Sequence, residues 1–376
     1  MSTESKTQRI ARLTPVSDVL SWIDTHVAAV APRSGDLHSV GGVLAEDVLA
    51  PTGLPAAACA LRDGFAVSAE ATADASAYTP VTLSAQSRVE VGDVLPEGTD
   101  AVAPLDAVTL RDGRYAALLP VAVGEGVLIP DGDVRAGVIL RRAGQRLRDI
   151  DRSVLAIAGV ERVSVREPRI RLVQARTDSD GVIAPVRGLI ARAITAAGGL
   201  VEETSATAPH AESLSAALSD ATADAVIAFG GTGSGHSDTS VHTLARLGGV
   251  DIHGIAVSPG ETAAFGRVGA RPVLLIPGRF DAALAVWLVI GWPLLARLSG
   301  LREEQPTSAA TLTRKVASSL GMTEVIPVRV HDGAADPLAS GYWPLAAVAA
   351  ADGWILVPPD SEGYPAFGKV VVRAWP

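Results

Sequence analysis

The residues best placed to do chemistry lie in one run, Phe229-Gly230-Gly231-Thr232-Gly233-Ser234-Gly235-His236-Ser237-Asp238. It follows an apolar, strand-like segment, Ala225 to Phe229, and precedes a helical pattern that begins near Ser240. Glycines at 230, 231, 233 and 235 permit positive φ and close backbone approach, so that successive N–H groups can converge on an anion. Asp238 adds a carboxylate able to hold a hydrated cation. His236 can donate to a phosphate or simply face solvent. The spacing is not the dinucleotide fingerprint, because His236 stands where G-x-G-x-x-G needs glycine, and no P-loop lysine follows. An ordinary tight loop uses the same residue types, so the run alone does not decide. Ile276-Pro277-Gly278-Arg279 is a second strand-to-helix turn, with an arginine that can reach an anionic group. Ser258-Pro259-Gly260-Glu261, followed by Phe265-Gly266-Arg267, is expected on the same rim.

Such turns serve as binding sites only where strands end against helix N-termini, and the segment 169–303 has that alternation. Strands are expected at Ile170 to Gln174, Leu200 to Thr204, Ala225 to Phe229, Asp251 to Val257 and Val273 to Ile276. Helices are expected near Val186 to Ala197, Ala211 to Leu218, Ser240 to Leu247 and Asp281 to Leu298, which makes an α/β domain around a mostly parallel sheet. Upstream, Thr14-Pro15 reads as N-cap and first helical residue of a helix near Pro15 to Val30. From 51 to 137 the pattern is β-rich, with runs at Pro80 to Ser84, Arg88 to Val91, Ala101 to Ala103 and Tyr115 to Val121. This segment reads as an insert in a discontinuous N-terminal domain formed by 1–50 and 138–168. After 304 the runs Thr311 to Val330, Leu345 to Pro358 and Val370 to Ala374 predict a small C-terminal β domain, with turns at Asp332-Gly333, Asp352-Gly353 and Glu362-Gly363. The fold class is therefore multidomain α/β plus β.

Composition narrows the function. Lys plus Arg number 32 against 41 Asp plus Glu, a net charge of −9, which argues against nucleic acid or an anionic membrane as the main partner. Cys59 is the only cysteine, so there is neither an internal disulfide nor a cysteine-rich zinc site. Residues 1–12 lack the apolar core of a secretory signal, and a cytoplasmic location is expected. The longest uncharged run, Ala282 to Ala296, carries Gly291 and Pro293 and reads as a buried helix rather than a membrane span. Trp287 and Trp292 on it, and the corner Tyr342-Trp343-Pro344, read as packing residues.

Taken in order, the motifs resemble one family. Gly42-Val43-Leu44-Ala45-Glu46-Asp47-Val48-Leu49-Ala50-Pro51 is similar to G-R-V-L-A-E-D-V-x-A-P, Arg62 to Val67 to M-D-G-Y-A-V, and Leu95 to Val102 to L-P-x-G-A-D-A-V. Gly230 to Asp238 is similar to G-G-V-S-V-G-x-x-D, Ser258 to Gly266 to K-P-G-K-P-x-x-F-G, and Pro277-Gly278 to L-P-G-N-P. By these residues the chain resembles the molybdopterin molybdenumtransferases, to which the gephyrin E-domain also belongs.

The resemblance implies an elongated homodimer that binds adenylylated molybdopterin, hydrolyses the adenylyl group and inserts molybdate, with a divalent metal such as Mg²⁺. The expected site lies between the α/β domain of one subunit and the β insert of the other. Carried over residue by residue, it assigns Asp63 and Asp238 to metal, with Asp178 as a further catalytic carboxylate. Gly230, Gly231, Thr232, Gly233, Ser234, Gly235, Pro259, Gly260, Pro277, Gly278 and Arg279 are assigned to the ligand.

The chain departs from the pattern at several polar positions. T-G-D-E-L becomes Ala175-Arg176-Thr177-Asp178-Ser179, and D-S-N falls on Ala184-Pro185-Val186. Further replacements are Val91 for a threonine, Ala60 for a serine, Ser258 for a lysine, Arg279-Phe280 for Asn-Pro, and Thr207 or Ala208 for an acid, while Asp106 stands for a glutamate. Two functions follow: a transferase, or a noncatalytic carrier or accessory protein that binds molybdopterin and serves other assembly proteins or a molybdoenzyme. A scaffold by analogy with gephyrin is a third.

Overall fold

The computed structural model describes residues 8–83, 88–176, 178, 181–204, 210–236 and 238–376. Helix α1, Val16–His26, buries Val16, Val19 and Ile23 on one stripe and starts from Pro15. Thr14 is not its cap. The backbone of Thr14 is extended and paired, donating to Gly254 O at 2.9 Å and accepting from Ala256 N at 2.8 Å, and a residue bonded that way is unavailable to a helix.

Strands β1 (Arg33–Asp36) and β2 (Val43–Leu44) leave α1, and the chain then departs into a β-rich excursion. There β3 (Gly64–Val67) and β4 (Ala101–Pro104) pair antiparallel, exposing alternate residues to two small cores, one around Phe65 and Val67 and one around Ala66 and Val102. The run expected as Tyr115 to Val121 is the second arm of a hairpin, Arg114–Ala117, that turns over Asp112-Gly113, both at positive φ. The chain returns as β5 (Arg162–Arg166), which lies between β1 and β2 and is antiparallel to both. The N-terminal unit is thus discontinuous in sequence, with the β-rich segment inserted.

The central unit is built from β6 (Arg169–Gln174), α2 (Ile183–Ala196), β7 (Leu200–Thr204), α3 (His210–Ser219), β8 (Ala225–Phe229), α4 (Ser240–Leu247), β9 (Gly249–His253), β10 (Ala264–Val268) and β11 (Arg271–Ile276). Helix α5, Phe280–Ser299, completes it. The sheet order is β7-β6-β8-β11-β10-β9, with the first three pairings parallel and the last two antiparallel. Leu172, Ile227 and Leu274 face α1, α2 and α5, whereas Val173, Val226 and Val273 face α3 and α4. Two expectations are corrected here. Phe265-Gly266-Arg267 is not on the rim but inside β10, where Phe265 is fully buried between neighbouring strands. The single strand expected from Asp251 to Val257 is broken at Gly254, which has φ 92° and leaves no room for a Cβ against Ile10.

Helix α5 is long and apolar enough to cross a membrane, yet 78% of its most apolar window is buried inside the protein. Its middle, Trp287–Gly291, widens to a π turn in which Trp292 N donates back to Trp287 O. Pro293 accounts for the slip, since it has no N–H to continue the α-helical ladder. The chain closes in a six-stranded sheet whose strands include Thr323–His331, Gly353–Val357 and Lys369–Ala374, joined to the central unit through Val257-Ser258. Leu345–Ala350, expected as strand, is a helix, started by Pro344 and exposing most of its surface.

Candidate ligand-binding site

The Gly230–Gly235 turn stands at the carboxyl end of parallel strand β8, where the sheet is flanked by β6 and β11. Gly230 N donates to Ile276 O at 2.8 Å, which draws this turn against Pro277-Gly278. Gly230 and Gly231 have φ of 89° and 72°, and a Cβ on Gly231 would sit 2.4 Å from Ser240 Oγ, so both conformation and space require glycine. Ser240 Oγ donates to Gly230 O at 2.7 Å, and the hydroxyls of Thr232 and Thr262 are 3.0 Å apart. Asp238 Oδ2 accepts from Gly235 N at 3.0 Å, closing the loop. The N–H groups of Gly231, Thr232, Gly233 and Ser234 donate to no acceptor among the described residues. Gly231 and Thr232 are buried, so their free N–H groups are costly unless something accepts from them.

Arg176, two residues beyond the tip of β6, lies over both turns. Its Cβ is 2.9 Å from where Gly230 would carry a Cβ, and its Nη1 is 3.7 Å from the corresponding point on Gly278. The result is a strand-end rim with unpaired amides and a guanidinium, a combination suited to phosphate.

The other expected residues are placed differently. Asp178 bonds with both carboxylate oxygens to the first turn of α2, accepting from Ile183 N at 2.8 Å and Ala184 N at 2.9 Å. Burial opposes its charge, but the N–H groups of Ile183, Ala184 and Val182, with the charge of Arg187, outweigh that and hold the carboxyl below the usual aspartate range. Asp63 is exposed in the insert and accepts from Val91 N at 2.9 Å. Asp106 sits in a short 3₁₀ turn of the same insert. No group of three or more His, Cys, Asp or Glu side chains able to hold a metal ion exists among the described residues. Pro259 and Gly260 are buried, and Gly260 backs onto α5, its Cβ position 2.6 Å from Val286 Cγ2.

Arg279 is turned away from the glycine turn. Its Nε donates to Asp281 Oδ1 at 3.0 Å, Nη2 pairs with Asp281 Oδ2, and the guanidinium lies 5.0 Å from the Tyr342 ring centre. The hydrogen bond to Asp281 raises its already high pKa further. Asp281 is itself buried and accepts from Trp343 N at 3.2 Å, so the pair pins the C-terminal unit to α5. Thr207 and Ala208 lie outside the described residues.

Comparison with known proteins settles the family. Three family models match in sequence order: the MoeA N-terminal region (domain I and II) over residues 5–159, a "Probable molybdopterin binding domain" over 185–297, and the MoeA C-terminal region (domain IV) over 309–372. The chain belongs to the MoeA family. A Methanocaldococcus jannaschii protein named for molybdopterin biosynthesis is 26% identical over 358 residues, covering 87% of this chain and 88% of the relative. Molybdopterin molybdenumtransferase 2 of Mycobacterium tuberculosis is 26% identical over 319 residues, covering 75% of this chain and 78% of its own length. The crystal structure of a molybdopterin biosynthesis MoeA protein from Pyrococcus horikosii superposes with a TM-score of 0.74 at 25% identity, covering 97% of this chain and all of that one.

Within this MoeA chain, sequence reasoning missed Gln8. Its side chain is buried and bonded into the glycine turn from the far end of the sequence. No local signal marks such a residue, since its partners are 223 to 234 positions away.

Proposed function

We propose that this MoeA relative is a molybdenum cofactor assembly protein that binds molybdopterin at the carboxyl edge of its central sheet. The phosphate of the ligand is gripped by the free N–H groups of Gly231 to Ser234, with Arg176 supplying positive charge. The observation that carries this reading is the run of four unpaired amides, two of them on buried residues, at a strand-to-helix turn. Relatives named molybdopterin molybdenumtransferase support molybdenum insertion as the reaction; adenylylated molybdopterin as ligand, with release of AMP, is what the family resemblance implies.

In this reading the protein is cytoplasmic and acts as a homodimer. A divalent ion such as Mg²⁺ would assist the departure of AMP by neutralising phosphate charge. The carboxylates with one oxygen left to meet it are Asp238, through Oδ1, and Asp63 of a second copy, through Oδ2. Within the chain, the amides bind, Arg176 orients the phosphate and Asp238 shapes the loop.

A second reading, a noncatalytic carrier, is favoured by one observation: Asp178 spends both oxygens on α2. Purified protein supplied with adenylylated molybdopterin, molybdate and Mg²⁺ separates the two through AMP release and molybdenum insertion, measured beside direct molybdopterin binding. Binding is expected in either case, and Arg176→Gln should weaken it about ten-fold through loss of a charge-assisted contact. AMP release lost in Asp238→Ala supports the transferase, and binding without turnover supports the carrier. Failure to bind any molybdopterin species refutes both.

A further inference from the structure

The amide of Gln8 is only 4% exposed and all its hydrogen-bonding positions are used. Nε2 donates to Gly231 O at 3.1 Å and to Gly233 O at 2.8 Å. Oε1 accepts from Val241 N at 2.9 Å and His242 N at 3.2 Å, in the first turn of α4. Thr239, at the N-cap of that helix, contributes no side-chain cap, so Gln8 takes over the task. The helix end is thereby satisfied by the protein itself and is not where an anion would bind.

The two carbonyl contacts have a geometric consequence. Among the described residues the only cis peptides are Leu54-Pro55 and Ser258-Pro259, so those that follow Gly231 and Gly233 are trans. In a planar trans peptide the C=O and the next residue's N–H point in opposite directions. Drawing Gly231 O and Gly233 O onto one buried amide therefore points the N–H groups of Thr232 and Ser234 to the other side of the turn. These are two of the four N–H groups without an acceptor.

We infer that Gln8 is a positioning residue of the phosphate site, which sets the outward direction of the Thr232 and Ser234 amides by holding the carbonyls behind them. This rests on the proposed phosphate grip and adds that the grip is organised by the N-terminal segment, which also pairs at Thr14 beside Gly254.

Two variants test this in the full-length protein. Gln8→Glu keeps an acceptor for Val241 and His242, and so keeps the α4 cap, but an ionised carboxylate cannot donate to Gly231 or Gly233. Gln8→Met is neutral, of similar length, and removes all four bonds. Both should weaken binding of molybdopterin and of inorganic phosphate by about ten-fold or more, the loss expected when charge-assisted N–H contacts are misdirected. Both variants leave Gly231 O and Gly233 O without a donor, and Gln8→Glu also buries a charge, so both should melt below wild type and binding is compared well below those temperatures. Amide resonances of Thr232 and Ser234 should shift in both variants without ligand. Wild-type affinity in Gln8→Met overturns the inference. If the wild-type protein binds neither probe, the phosphate reading fails, and unchanged Thr232 and Ser234 resonances in Gln8→Met then overturn the orientation argument separately.

Discussion

Replacing Asp178 discriminates sharply between a carboxylate that serves chemistry and one that serves the fold. In the structure both oxygens accept from N–H groups at the start of α2, so Asp178→Ala leaves those donors to water. Loss of a helix cap costs about 0.5–2 kcal/mol, and the partial exposure of Asp178 to solvent places it near the middle, about 1 kcal/mol. For a unit of this size that corresponds to a fall of about 2–4 °C in melting temperature. Asp178→Asn keeps one acceptor oxygen and should lose roughly half as much. The pH dependence has a definite sign. The folded carboxyl is held below its unfolded value, so its contribution is fully present above the unfolded pKa, roughly 4, and disappears as pH falls through the lower folded one. The gap between wild type and Asp178→Asn should therefore be constant near neutrality and close in acid. Thermal melts of the three proteins from about pH 3 to 7 measure this. The cap assignment is refuted if Asp178→Ala melts like wild type at neutral pH while AMP release is abolished.

Two further substitutions probe the frame that holds the site. Gly291→Val should destabilise by about 1–3 kcal/mol or more in denaturant titration, because even a Cβ there would lie 2.3 Å from Trp287 Cε3 in a packed core. Arg171 is buried at the start of β6 and bonds Glu202 at 2.7 Å and Asp220 at 2.8 Å, so Arg171→Met should cost about 2 kcal/mol in the same assay. That figure is discounted because both acids are partly exposed and regain water, and phosphate binding at the opposite edge of the sheet should be unchanged.

What the sequence made legible was local. The order of strands and helices around β6, β8 and β11 is written in apolar runs of the right length, and the glycine turn is written in residues that must adopt positive φ where they stand. The strand Ala264–Val268 was not legible, because a glycine and an arginine interrupt its pattern and its burial comes from β9 and β11 on either side. The apolar pattern places the start of α2 three residues late, at Val186 instead of Ile183, although Pro185 in its first turn is a start signal. That misplacement hid the cap. With α2 beginning at Ile183, Asp178 falls within reach of the first free N–H groups, and its carboxylate accepts from the helix N-terminus.

The division between legible and hidden parts also explains how the site can hold phosphate while its acids are reassigned. In the proposed site phosphate recognition depends on backbone groups, whose direction follows from glycine torsions and from one distant amide, Gln8, rather than from the side chains at 175–179 and 184–186. Changing Asp178 from ligand to cap leaves those amides where they are. A metal-assisted step has no such protection, since it needs one or two carboxylates brought to the phosphate. Binding and turnover are thus separable in this chain. In the proposed function the first rests on β8, its glycine turn and the N-terminal segment of the same molecule, whereas the second would draw a carboxylate from the insert of another copy.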